Sequence, residues 1–393
     1  MDNIFSIEKF NIIKDKNNYY YFRALNMGDN SDLDNNIITT KDGKIEKIRT
    51  DRERYLDIPK YKKDSQLSLE ELIDHIKENH RLDTNCISLT INANIAIMYG
   101  RKYYKDKYVM IKSPQNNSNT IINATLYLLK EIDKRINKYL KEKQVSKDLK
   151  EKIIKIEQAN TIEELSKICN TNNNYTSKIY YKGLNEKQEL QKNKILSKIS
   201  LIDEKLINTF TNKCLINTII NAYTSLEFIH YKTISKEEII EITPEIMDIF
   251  SLIQQLPSSI NYKDELIIEI IKYLEKDYQL TSFTYSNYHI QENNMSKDLK
   301  ELYKHFFYLT KSKLRVINTI NNIKKITNNT KYNKIINYLA KNTCLIEPEM
   351  LNNISIKESN IITYLNKLNY SEKTSIMKNS LEEFNKYTKI SIK

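Results

Sequence analysis

All four glycines of this 393-residue chain, Gly28, Gly43, Gly100 and Gly183, lie in its first half, and three lie within the first 100 residues. Glycine supplies the left-handed and close-approach backbone that tight turns and strand crossings use. A chain that stops using it after position 183 has to be built from there mainly of elements whose ends tolerate side chains, and closely connected helices are elements of that kind. The glycine distribution predicts strands and turns early and helices late. Local patterning agrees. NNYYYFRAL (17–25), CISLTI (86–91) and KYVMIKSP (107–114) read as short strands, rich in aromatic and β-branched residues. Between the first two, SLEELIDHIKENHR reads as a helix with Ser68 as N-cap and Glu71 three residues on, the capping-box pattern.

The texture changes at Asn116. NTIINATLYLLKEIDKRINKYLKEK, SKDLKEKIIKIEQA and TIEELSKIC carry apolar residues at helical spacing with charges between them. The polar stretch NTNNNYTSKIYYKGLNEK (170–187) reads as a loop, with a further helix over 187–210. Strand character returns at LEFIHYKTI (226–234), with SKEEIIEI as another short strand. Pro244 then opens a helix that Thr243 caps. After Pro257 every periodic stretch is helical. The fold class that follows is α+β. Its expected segments are a mixed part over 1–115, a helical insertion over 116–214, a second mixed part over 215–250 and a mainly helical C-terminal region over 251–393.

The net charge of +12, from 62 Lys and Arg against 50 Asp and Glu, suits an acidic macromolecular partner such as nucleic acid. AT-rich coding also raises lysine, so the charge does not by itself select a partner. Cys86, Cys169, Cys214 and Cys344 are scattered, with no zinc-ligand spacing, as in a reducing compartment. The N-terminal stretch lacks the apolar core of a signal peptide. No stretch approaches the roughly 18 apolar residues of a membrane span. A cytoplasmic location, in the producing or an infected cell, is the expectation. His75 and His80 are five apart and miss the i, i+4 spacing of helical metal ligands, so no metal is expected. Neither GxxxxGK[ST] nor GxGxxG occurs.

Three pieces of the chain stand in strand contexts bracketing the helical insertion. Arg23 lies on the first long strand. Ser88 and Thr90 lie on one face of the second, two residues apart. Glu227 lies at a loop-to-strand entry late in the chain. This order resembles the mono-ADP-ribosyltransferases, in their toxin-like Arg-Ser-Glu branch, over residues 18–115 and 215–245. RLDTNCISLTINANIAIMYGRKYYKDKYVMIKSP is similar to that family's succession of serine strand, small-residue helix, aromatic and core strand.

The resemblance implies a split β core and NAD as co-substrate, without a metal. It implies Glu227 and Ser88 as the catalytic pair, the Ser88 hydroxyl fixing the carboxylate. Arg23 would bind the NAD pyrophosphate or adjoining ribose. Thr90 would support the same strand edge, and Tyr99 would offer a flat face to the nicotinamide while Gly100 lets the backbone turn behind it. Two residues before the glutamate the family often has Glu or Gln. Here that position is Ser225, a residue for acceptor recognition that leaves the acceptor open. The implied target is an acidic macromolecule, nucleic acid or host protein. Composition and periodicity alone equally fit a basic, mainly helical protein of viral or mobile-element origin that binds nucleic acid or protein without catalysis.

Overall fold

The computed structural model describes residues 12–25, 37–39, 41, 44–50, 67–77, 84–103, 108–115, 120–169, 184–203, 205–207, 210–256 and 260–276, together with 323–324, 327, 329–336 and 339. Gly28, Gly43, His80, Gly183, residues 170–183 of the loop read over 170–187 and most of the C-terminal helical stretches lie outside them. The chain divides into two compact units, 1–242 and 243–393.

The first unit is mixed, with antiparallel sheets. In chain order its strands are β1 (Ile13–Lys14), β2 (Asn18–Ala24), β3 (Ile37–Thr39), β4 (Ile45–Ile48), β5 (Ile87–Thr90), β6 (Tyr108–Pro114), β7 (Ile121–Asn123), β8 (Glu227–His230), β9 (Ile234–Ser235) and β10 (Ile239–Ile242). The larger sheet runs β10-β6-β2-β5-β8-β7, with β1 also paired to β2. The smaller runs β3-β4-β9. Central strands β2 and β6 are apolar on both faces: Tyr20, Tyr21, Phe22, Val109, Met110 and Ile111 are all buried. Such strands read as continuous apolar runs rather than alternations. In β8 the alternation does sort residues. Phe228 joins a core with Leu89, Ile95 and Ile111, and Ile229 joins a second core with helical residues Leu72, Leu128, Ile199 and Ile219.

Among the described residues the helices of this unit are α1 (Leu69–Lys77), α2 (Ala93–Tyr103), α3 (Ala124–Glu142), α4 (Lys147–Gln158), α5 (Ile162–Cys169), α6 (Glu186–Leu201) and α7 (Asn212–Thr224). Their starts follow the caps in the sequence. Ser68 Oγ accepts from Glu71 N at 3.1 Å, and Asn185 and Gln188 form a reciprocal capping box on α6. Helices α3 to α7 all fall between β7 and β8.

Two local expectations change. Ile121–Asn123, inside the stretch read as helical from 116, pairs with β8 as an edge strand, and Asn123 then caps α3 by accepting from Leu126 N at 2.9 Å. SKEEIIEI is not one strand. Ser235 caps a 3₁₀ turn over Lys236–Glu238, with the Glu238 side chain accepting from Ser235 N, and β10 starts after it.

The second unit, as described, contains α8 (Pro244–Gln255) and α9 (Lys263–Leu274). Thr243 caps α8, its hydroxyl accepting from Ile246 N at 3.4 Å, and proline stands at the first helical position. Among the described residues no helix is long and apolar enough to cross a membrane.

Candidate active site

Strands β2 and β5 share one register pair, Phe22 with Thr90. Continuing that ladder would set Ala24 opposite Ser88. The strands part instead, and Arg23 Nη1 donates to the Ser88 carbonyl across the gap at 2.6 Å. On its other side β5 pairs normally with β8, Thr90 opposite Glu227 and Ser88 opposite Ile229. Cross-strand partners share a face, as do residues two apart. Ser88, Thr90 and Glu227 are therefore on one face, and Ser88 Oγ donates to Glu227 Oε1 at 2.7 Å.

Glu227 enters β8 from a two-residue turn, Ser225–Leu226, that follows directly on a helix. Helix α7 closes with Ser225 N donating to Asn221 O at 3.0 Å and Leu226 N donating to Tyr223 O at 3.2 Å. Leu226 then takes φ 46°, the left-handed conformation that usually calls for glycine after a helix. A leucine there is strained by about 1–2 kcal/mol. Burial of its side chain in the sheet core holds it in place. The Thr90 hydroxyl braces the same turn, donating to Ser225 O at 2.9 Å. Helix, turn and strand together deliver the Glu227 carboxylate to the parted sheet.

A cleft of about 280 Å³ opens there. Arg23, Ser88, Thr90, Tyr99, Ser225 and Glu227, the six residues singled out in the sequence, all line it. Burial pushes the Glu227 carboxyl up to about 7, against the opposing pull of hydrogen bonds from Ser88 and Ser225 and of the Arg23 charge. The Ser225 hydroxyl mainly serves its own helix end, 2.7 Å from Asn221 O, and lies 3.4 Å from Glu227 Oε2.

The Tyr99-Gly100 pair is not a turn. Both residues lie inside α2. Gly100 is needed for a different reason: a Cβ at this position would sit 2.6 Å from Cζ of the buried Tyr108 ring. The missing side chain makes room for the Tyr108 ring beside α2, and Tyr99 faces the cleft one residue before that close approach.

Three polar residues of the cleft lining, Asn221, Thr224 and His75, were not singled out as site residues in the sequence. Asn221 and Thr224 belong to the last turn of α7, and only its direct run into β8 brings them to the cleft. His75 had a signal. It stands three residues after Leu72 on the buried stripe of α1, where a histidine needs polar partners. His75 Nε2 lies 2.9 Å from Ser88 Oγ, and Nδ1 lies 3.0 Å from Thr84 Oγ1. Among the described residues no group of three or more His, Cys, Asp or Glu side chains is placed to hold a metal ion.

The arrangement offers one fixed carboxylate with a near-neutral pKa, one guanidinium and an aromatic face around a cavity of small-ligand size. No protein-family model, curated protein or solved structure matches the chain.

Proposed function

We propose that this chain is an NAD-dependent mono-ADP-ribosyltransferase with an ADP-ribosyltransferase-like split β core, acting on an acidic macromolecule. The observation that carries the reading is the convergence of Arg23, Ser88 and Glu227, from three separate strands, on one cleft where the sheet parts. Arg23 supports it through geometry. The Ser88 carbonyl takes one of its donors and holds the guanidinium at the cleft, where a planar fork suits a pyrophosphate.

In the reaction the bond between nicotinamide and the ribose anomeric carbon breaks. Its electron pair leaves with nicotinamide and neutralises the pyridinium charge. Positive charge builds on the anomeric carbon, and a fixed carboxylate at Glu227 stabilises it and accepts from the ribose 2′-hydroxyl. The acceptor's lone pair forms the new bond and its proton passes to solvent. No second acid is required, because the leaving group departs neutral. The net charge of +12 favours an acidic target, nucleic acid or protein.

The test is incubation with labelled NAD, alone and with cell lysate, beside Glu227→Gln. Released nicotinamide and transferred label are expected from the wild type. In the variant both should fall by about 100-fold or more, with NAD affinity within about threefold. Full turnover in Glu227→Gln would remove the catalytic assignment. Neither consumption nor binding of NAD by the wild type would overturn the reading in favour of a basic, non-catalytic binding protein.

A further inference from the structure

Four side chains form one hydrogen-bonded chain ending on the cleft carboxylate. Thr84 Oγ1 lies 3.0 Å from His75 Nδ1, His75 Nε2 lies 2.9 Å from Ser88 Oγ, and Ser88 Oγ lies 2.7 Å from Glu227 Oε1. Thr84 and His75 are buried, so the packed interior holds the imidazole ring in this orientation. A serine hydroxyl has one proton. An ionised Glu227 only accepts, so Ser88 donates to it and accepts from His75. The ring proton of a neutral His75 then sits on Nε2, and Nδ1 accepts from the Thr84 hydroxyl.

We infer that His75 is a positioning residue of the cleft: by donating to Ser88 it commits the Ser88 proton to Glu227. Thr84 supports the tautomer that makes this donation by donating to Nδ1. The inference deepens, and for its catalytic consequence rests on, the proposed role of Glu227. Without a donor at position 75 the Ser88 hydroxyl turns its proton among other acceptors, and the ionised carboxylate loses a bond it needs. Other charged or titratable groups surround the chain. They are Arg23 on β2, Tyr99 on α2, Cys86 between Thr84 and Ser88, and Glu71 and Asp74 on α1 itself. Helices α3 and α7, which pack on α1, bring Tyr127 and the neutral Asn221 and Thr224. None of these replaces the His75 donor in the chain of bonds to Glu227.

The experiment follows the Glu227 carboxyl directly, by carbon-13 NMR titration of glutamate-labelled full-length protein, with the resonance assigned by its loss in Glu227→Gln. Wild type, His75→Ala, His75→Gln and Thr84→Val are compared, and NAD turnover is measured on the same samples. His75→Ala should move the midpoint upward by about one pH unit and cut turnover by about tenfold or more. His75→Gln keeps an N–H donor and should restore most of both. Thr84→Val should shift the midpoint in the same direction by less.

An unchanged midpoint in His75→Ala, or a His75→Gln no closer to wild type than alanine, overturns the inference. If alanine does not fold, an unchanged midpoint in Thr84→Val does so. The titration needs no NAD. A protein that consumes none but shows these shifts loses the transferase reading and keeps the hydrogen-bonded chain.

Discussion

Glu227 holds its proton to about pH 7 in the folded protein, against an ordinary 4.5. Catalysis needs the ionised form, so kcat/KM for NAD should rise with pH and level off above about 7, which a pH–rate profile reads directly. Stability runs the other way. Between about pH 4.5 and 7 the folded state binds a proton that the unfolded chain releases, so the contribution of this group declines as pH rises and is lost above 7. Glu227→Gln should therefore be more stable than the wild type by about 1–3 kcal/mol at pH 8, and close to it near pH 4, in urea denaturation. Arg23→Ala should act on binding instead, weakening NAD affinity about tenfold or more by calorimetry. At Gly100 the expected change is steric. Gly100→Ala drives a methyl into the Tyr108 ring and should cost about 1–3 kcal/mol.

At the scale of elements, the α7–β8 junction decides the site. A strained Leu226, the Thr90 hydroxyl on Ser225 O and the Ser225 hydroxyl on Asn221 O fix where Glu227 enters the sheet. Thr90→Val keeps the side-chain shape and leaves that carbonyl without its donor. It should destabilise by about 1–2 kcal/mol and lower turnover several-fold. Ser225→Ala separates acceptor choice from NAD chemistry. NAD glycohydrolysis should stay within about threefold while transfer to the acceptor falls further, and equal losses would remove Ser225 from acceptor recognition. Much of this scale was legible in the sequence. Apolar runs marked β2, β5 and β6, and Ser68 and Thr243 marked helix starts. The tight helix-to-strand turn before Glu227 was not legible, because a leucine occupies the left-handed position where glycine would have announced it.

For the first unit as a whole, the helices inserted between β7 and β8 are organised by a polar helix. Lys192, Lys194 and Lys198 of α6 are all buried. Lys198 Nζ binds Asp133 of α3 at 2.6 Å and also Glu157 of α4, and Lys194 Nζ donates to Glu157 O at 2.6 Å. Lys192 pairs with Glu189 at 2.8 Å and lies 3.6 Å from the centre of the Tyr223 ring on α7. These contacts join α3, α4 and α6 to α7, the helix that leads into Glu227. Lys198→Ala removes the cation that the partly exposed Asp133 and Glu157 share and should cost about 1–2 kcal/mol in urea denaturation. Turnover per folded molecule should be unchanged, since the ion pairs lie away from the cleft lining.

The sequence by itself determined the local elements and which residues carry chemistry. Strand propensity, helical period and capping are properties of neighbours along the chain, and they suffice to put Arg23, Ser88 and Glu227 on strands. Only the tertiary structure decided what those residues meet. Ser88 and Glu227 are 139 positions apart, and their 2.7 Å contact depends on β5 and β8 pairing in one register, since a slip of one residue would turn the carboxylate to the other face. The same holds for His75, whose partners come from beyond its helix, and for the lysines of α6. Their burial is set by carboxylates, a backbone carbonyl and an aromatic ring on three other helices. Local pattern fixes conformation through short-range sterics and hydrogen bonds, whereas burial and approach are fixed by surfaces distant in the chain.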